Sequence, residues 1–205
     1  GPVGPVGPVG QYPIFVRLVN ERKLSLKNCY FINMDEYLDD DKKYISKDSP
    51  LSFRGFMDRA VYNQIPEELN VPEENRFFPD PEDPGKILRV IESLGKVDIA
   101  FGGIGINGHL AFNEAEEVSA EEFATRTTRV LAISRETRVA NAIGDLNGAI
   151  DAMPIYAVTI GMKEILMANK IRLGVFRSWH RAVLRQALFD DPAGHFPVTL
   201  IQSHR

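Results

Sequence analysis

Residues 101–114 read FGGIGINGHLAFNE, and this short stretch holds an imidazole, an amide and a carboxylate. Gly103, Gly105 and Gly108 spell G-x-G-x-x-G, a spacing that in a dinucleotide-binding unit turns the chain tightly beneath a pyrophosphate. Such a unit also needs its last glycine to open an amphipathic helix, and an acid ~20 positions further on. The residues after Gly108 are HLAFNEAEEVSAEEFATRTTRV, with no convincing apolar face, so a nicotinamide or flavin cofactor is set aside. The alternative is acid–base chemistry. Glycines at 105 and 108 let the backbone approach a ligand without Cβ clashes. On that reading His109 would titrate near neutrality, as a group that takes and returns one proton must. Glu114 can orient the imidazole or hold its charged form, and Asn107 is polar without titrating. Two further acids, Asp35 and Glu36, stand in NMDEY at residues 33–37. Neighbours on a strand face opposite ways, so either of them can be the working acid.

These groups need a frame. PIFVRLVNERKLS has helical spacing, with Ile14, Leu18 and Val19 on one side. NCYFINM (28–34) reads as a buried strand, and SPLSFRGFMDRAVYNQI as a serine-capped amphipathic helix. KILRVIESLG is a helix ending at glycine, and KVDIAFGGIG a strand running straight into the glycine turn. RETRVANAIGDL, MKEILMAN and SWHRAVLRQALF, the last capped by Ser178, read as helices. YAVTIG, KIRLGVF and a final FPVTLIQ read as strands. Apolar strands alternating with helices predict a single Rossmann-like α/β domain with a mostly parallel sheet and helices on both faces. In such sheets the ligand crevice lies beyond the carboxyl ends of the strands. One strand ends at NMDEY and another at GIGINGHLAFNE, which groups Asp35, His109 and Glu114 into one site.

The bulk properties narrow the function. The chain has 205 residues and a formal net charge of -4, with basic residues scattered. Phosphate-backbone binding wants a concentrated basic face, so nucleic acid is not the expected partner. Cys29 is the one cysteine, which excludes an internal disulfide framework and fits a reducing, cytoplasmic setting. No apolar run reaches the ~20 residues of a membrane span. No pair of histidines has metal-ligand spacing, so no metal site is expected. The opening GPVGPVGPVG is too short for a collagen helix. Residues 1–10 are taken as an irregular or artefactual segment ahead of the domain at 11–205, which is expected to lack its native N-terminal strand.

NMDEY, GIGINGHLAFNE, ETRVAN, YAVTIG and the basic residue before AVLRQAL occur in this order, and the chain thereby resembles the glucosamine-6-phosphate deaminases from about Pro13 onward. HLAFNE sets it apart from the related 6-phosphogluconolactonases. The resemblance implies conversion of an amino-sugar phosphate to a ketose phosphate and ammonia, by ring opening and proton transfer from C2 to C1, without metal or redox cofactor. By motif, His109 would move the ring-opening proton, Asn107 and Glu114 would support it, and Asp35 would shuttle the C2 proton. Glu36, Gly105, Gly108, His180 and Arg181 would line the substrate site, with Arg181 where the family places a phosphate lysine. Ile143 falls where the family has a basic residue, and the segment Gly7–Pro13 lacks the family's phosphate-loop hydroxyls. Two alternatives stay open, a lactonase in which His109 activates water and a sugar-phosphate sensor without efficient chemistry. A homo-oligomer is also left open.

Overall fold

Helices and strands alternate along most of the chain, following the changes of hydrophobic period. The computed structural model describes residues 9–145, 148–175 and 178–204. The first half holds α1 (Gln11–Arg22), β1 (Phe31–Ile32), β2 (Asp35–Leu38), α2 (Phe53–Ala60), β3 (Arg76–Phe77), α3 (Lys86–Leu94) and β4 (Val97–Gly103). The second holds α4 (Ala120–Phe123), β5 (Arg129–Ala132), α5 (Arg135–Asp145), β6 (Tyr156–Thr159), α6 (Met162–Leu166), β7 (Ala168–Gly174) and α7 (His180–Phe189). A 3-10 stretch, Pro197–Ser203, comes after α7.

The architecture is α/β, but the expected mostly parallel sheet is met only in part. β1 pairs with β3 and β4 with β7, both parallel, while β2, β6 and β5 form an antiparallel sheet in that order. The physical reason is the segment after the glycine turn. Its TRTTRV stretch is rich in β-branched residues suited to a pleated surface, and Arg129–Ala132 runs antiparallel along β6 as an edge strand. Helices cover one face of the β4–β7 pair: Ile171 and Leu173 pack into a cluster with Ile87, Ile91, Met162, Ile165 and Val183. Ile99 and Phe101, on the alternate positions of β4, remain 38% and 52% exposed. Coverage on both faces therefore fails for this pair among the described residues.

Local boundaries also differ. Asp35 opens β2 instead of lying past a strand's end. The segment FPVTLIQ is a buried 3-10 turn: proline occupies its start, and the Thr199 hydroxyl donates to the Phe196 carbonyl at 2.7 Å. β7 begins at Ala168, which shortens α6 to Met162–Leu166. The side chain that caps α2 is Ser52, accepting from the Gly55 amide, while Ser178 makes no side-chain cap at α7. On α1 only Val19 is buried, and Ile14 is 51% exposed. Residues 1–8 of the opening segment, Leu146 and Phe176 lie outside the described residues.

Candidate active site

β4 ends at Gly103, and the chain then closes on itself: the Gly105 amide donates to the His109 carbonyl at 2.9 Å and the Gly108 amide to the Gly105 carbonyl at 3.0 Å. Both glycines are required sterically, for reasons unrelated to a cofactor. A Cβ on Gly105 would overlap the His109 ring. Gly108 has φ +76°, and a Cβ there would lie 2.6 Å from the Phe196 ring. The space the glycines leave is filled by the protein's own side chains. No helix opens after Gly108, and the next, α4, begins at Ala120. The pyrophosphate reading of G-x-G-x-x-G therefore lacks its helix N-terminus.

The turn holds its polar groups in a chain. Nδ1 of His109 is hydrogen-bonded to Oδ1 of Asn107, and Nδ2 of Asn107 donates to Oε2 of Glu114 at 3.2 Å. Glu114 is held in turn by the start of α5. The Ser134 amide donates to Oε1 and the Thr137 hydroxyl to Oε2, each at 3.3 Å. Burial lowers the pKa of His109 below the ordinary imidazole range, against the opposing pull of the Glu114 carboxylate. The ring is thus neutral at pH 7 and able to accept a proton.

The AFN residues between His109 and Glu114 anchor this chain. Ala111 sits at φ +54°, a left-handed conformation that costs a non-glycine residue roughly 1–2 kcal/mol. Its neighbours compensate. The Phe112 amide donates to the Thr159 hydroxyl. Asn113, fully buried, gives its amide hydrogens to the carbonyls of Leu110 and Ile160 at 2.9 Å and accepts from Arg129. The Phe112 ring lies 5.3 Å from that of Tyr37 and stacks on Phe53 at 6.2 Å.

That aromatic contact packs the segment after His109 against the strand that carries Asp35. Tyr37 and Asp35 share one face of β2, and Asp35 pairs with Thr159 across the sheet. Asp35 is partly buried, and its carboxyl is raised well above the usual carboxylate range by burial first and by the Glu36 charge second. Among the described residues no hydrogen bond joins Asp35 to Asn107, His109 or Glu114. Glu36 is excluded from the site. It has no exposed surface, and its oxygens accept from the Tyr37, Phe53 and Arg54 amides, the Ser52 hydroxyl and Nε of Arg54, all between 2.9 and 3.1 Å. It ties β2 to the N-terminus of α2, so the expected substrate-binding role is corrected to a structural one.

His180 is buried, with Nε2 3.0 Å from the Ile104 carbonyl, so it supports the glycine turn from α7. Arg181 next to it is exposed, and Ile143 is 67% exposed on α5. No group of three His, Cys, Asp or Glu side chains among the described residues is arranged to hold a metal ion, and no helix there is long and apolar enough to cross a membrane. Sequence reasoning missed Ser134 and Thr137. The available signal was S-x-x-T at a helix start.

No family model matches the chain. It is 30% identical over 201 residues to the glucosamine-6-phosphate deaminase of Mannheimia succiniciproducens, covering 95% of this chain and 69% of that protein. It is 30% identical over 198 residues to the same enzyme of Histophilus somni, with the same shares covered. The solved structure of a monomeric glucosamine-6-phosphate deaminase matches at TM-score 0.80 and 27% identity, over 97% of this chain and 78% of that one. The 6-phosphogluconolactonase of Thermotoga maritima, at TM-score 0.61 and 18% identity over 91% and 74% of the chains, shares the fold.

Proposed function

Since the chain belongs to the glucosamine-6-phosphate deaminase family and is an enzyme of that type, we propose that it converts glucosamine 6-phosphate, or a close hexosamine phosphate, to a ketose phosphate and ammonia. The observation that carries this is the hydrogen-bonded chain His109–Asn107–Glu114, on a turn packed through Phe112 against the strand of Asp35. Neutral His109 takes the C1 hydroxyl proton and delivers one to the ring oxygen, opening the pyranose to the aldehyde. Asp35, ionised, removes the C2 proton and returns it to C1, while a proton from the nitrogen reaches O1, which leaves an imine at C2. Water adds to C2 and ammonia departs. Burial disfavours the Asp35 carboxylate, and a more basic carboxylate is the better acceptor for a carbon-bound proton. Arg181, in the first turn of α7, is offered as a bidentate partner for the phosphate.

The test is incubation with a panel of hexosamine phosphates while free ammonium is assayed. The wild-type chain should release ammonium, and His109→Ala and Asp35→Asn should each lose at least about 10²-fold in rate. Undiminished turnover in Asp35→Asn would remove this mechanism. The fold shared with a 6-phosphogluconolactonase supports a second reading, in which His109 activates water. Hydrolysis of a sugar-phosphate lactone, with no ammonium from any hexosamine phosphate, would favour it.

A further inference from the structure

We propose that Ser134 and Thr137, at the start of α5, are positioning residues that hold the Glu114 carboxylate against Asn107 and so fix the orientation of the His109 imidazole. This deepens the deaminase reading and rests on it. Glu114 reaches His109 through the Asn107 amide, so the imidazole is only as well placed as the carboxylate behind it. A glutamate has three rotatable side-chain bonds, and loss of its anchors frees rotamers that carry Asn107 with them.

The anchors form a directed set. The Ser134 hydroxyl donates to the Thr137 hydroxyl oxygen at 3.1 Å, which leaves the Thr137 proton to point at Oε2 of Glu114. The Ser134 oxygen meanwhile accepts from the Thr137 amide at 3.2 Å, and the Ser134 amide takes Oε1. Thr137 is 1% exposed, so water cannot replace its hydroxyl if that is removed. The carboxylate also lies at the N-terminal end of α5, where unpaired amides favour negative charge. With Oε1 held by the Ser134 amide and Oε2 by Asn107 and Thr137, Glu114 acts on His109 through Asn107.

The experiment compares Thr137→Val, which keeps the shape and deletes the hydroxyl, with Thr137→Ser, which restores it. Two quantities are read on the full chain: kcat and KM for ammonium release from glucosamine 6-phosphate, and the His109 titration by ¹⁵N NMR of the imidazole. Thr137→Val should lower kcat about tenfold with KM changed less than about twofold, the pattern of a group acting only in the transition state. Its His109 midpoint should fall, because the Glu114 charge that opposes the burial effect is no longer held in place. Thr137→Ser should return both to wild-type values. A wild-type kcat together with an unmoved His109 midpoint in Thr137→Val overturns the proposal. If the wild-type chain releases no ammonium, the deaminase reading fails, and the His109 midpoint alone decides the positioning role. Should Thr137→Val not fold, Ser134→Ala removes the hydroxyl that aims Thr137, and an unmoved midpoint there overturns the proposal equally.

Discussion

Asp35 and His109 are shifted in opposite directions by one cause, because burial disfavours whichever form carries charge. For His109 this yields a neutral proton acceptor at pH 7. For Asp35 it yields a base that must ionise against its surroundings. The folded chain therefore binds the Asp35 proton more tightly than the unfolded chain does. Its stability contribution grows as pH falls through the raised folded value and is complete below the unfolded value of about 4. Asp35→Asn removes that dependence. The variant should be inactive, should melt no lower than wild type at pH 7, and should lose any advantage near pH 4, as thermal melts at the two pH values will report. Catalysis has the opposite sense: kcat/KM should fall on acidification at a pH above the ordinary carboxylate range. Gly105→Ala tests the ring's seat, since the new methyl would collide with the imidazole. Its activity should drop at least about 10²-fold while circular dichroism stays unchanged.

At the level of elements, the β2–α2 junction places two adjacent acids in different surroundings. Glu36 satisfies two backbone amides and the capping serine at the head of α2, and is paired with Arg54 at 3.1 Å. Glu36→Gln removes one partner of a buried pair and should cost about 3 kcal/mol in urea unfolding. Asp35→Asn should cost none at neutral pH, so the neighbouring substitutions distinguish a structural acid from the one proposed to act in catalysis. The letters of NMDEY read as the end of the preceding strand, whereas Asp35 opens β2. Which of the two acids is sealed from solvent was not legible, because that depended on where α2 docked. The same holds for α5. Its helical period was legible in RETRVAN, whereas the use of its first turn to hold Glu114 arises from a contact between residues 20 apart in sequence.

Over the whole molecule, the late chain closes the site. Phe196 lies on Gly108, the Val198 amide donates to the Gly108 carbonyl at 2.8 Å, and Gly194 exchanges hydrogen bonds with the backbone of Glu116 and Val118. The acidic stretch EAEEVSAEEF is thereby fastened, with Glu116 further held by Arg126 at 2.8 Å. Phe196→Ala should destabilise the fold by about 3–5 kcal/mol, measured by denaturant unfolding. It should also reduce turnover more than the residual folded fraction explains, because the ring supports the turn that presents His109.

The alternation of apolar periods determined the α/β class, and the residue types at 35, 107, 109 and 114 determined the candidate chemistry, since period and functional groups are local properties of the chain. The tertiary structure alone decided that β2, β6 and β5 run antiparallel, that the last apolar segment coils as a 3-10 turn, and that Glu36 is sealed beneath α2. It also supplied the hydroxyls of Ser134 and Thr137 to Glu114. A hydrophobic pattern states which face of an element must be covered, but many partners can cover it equally well. The pairing is selected only when all the buried polar groups find donors and acceptors at once.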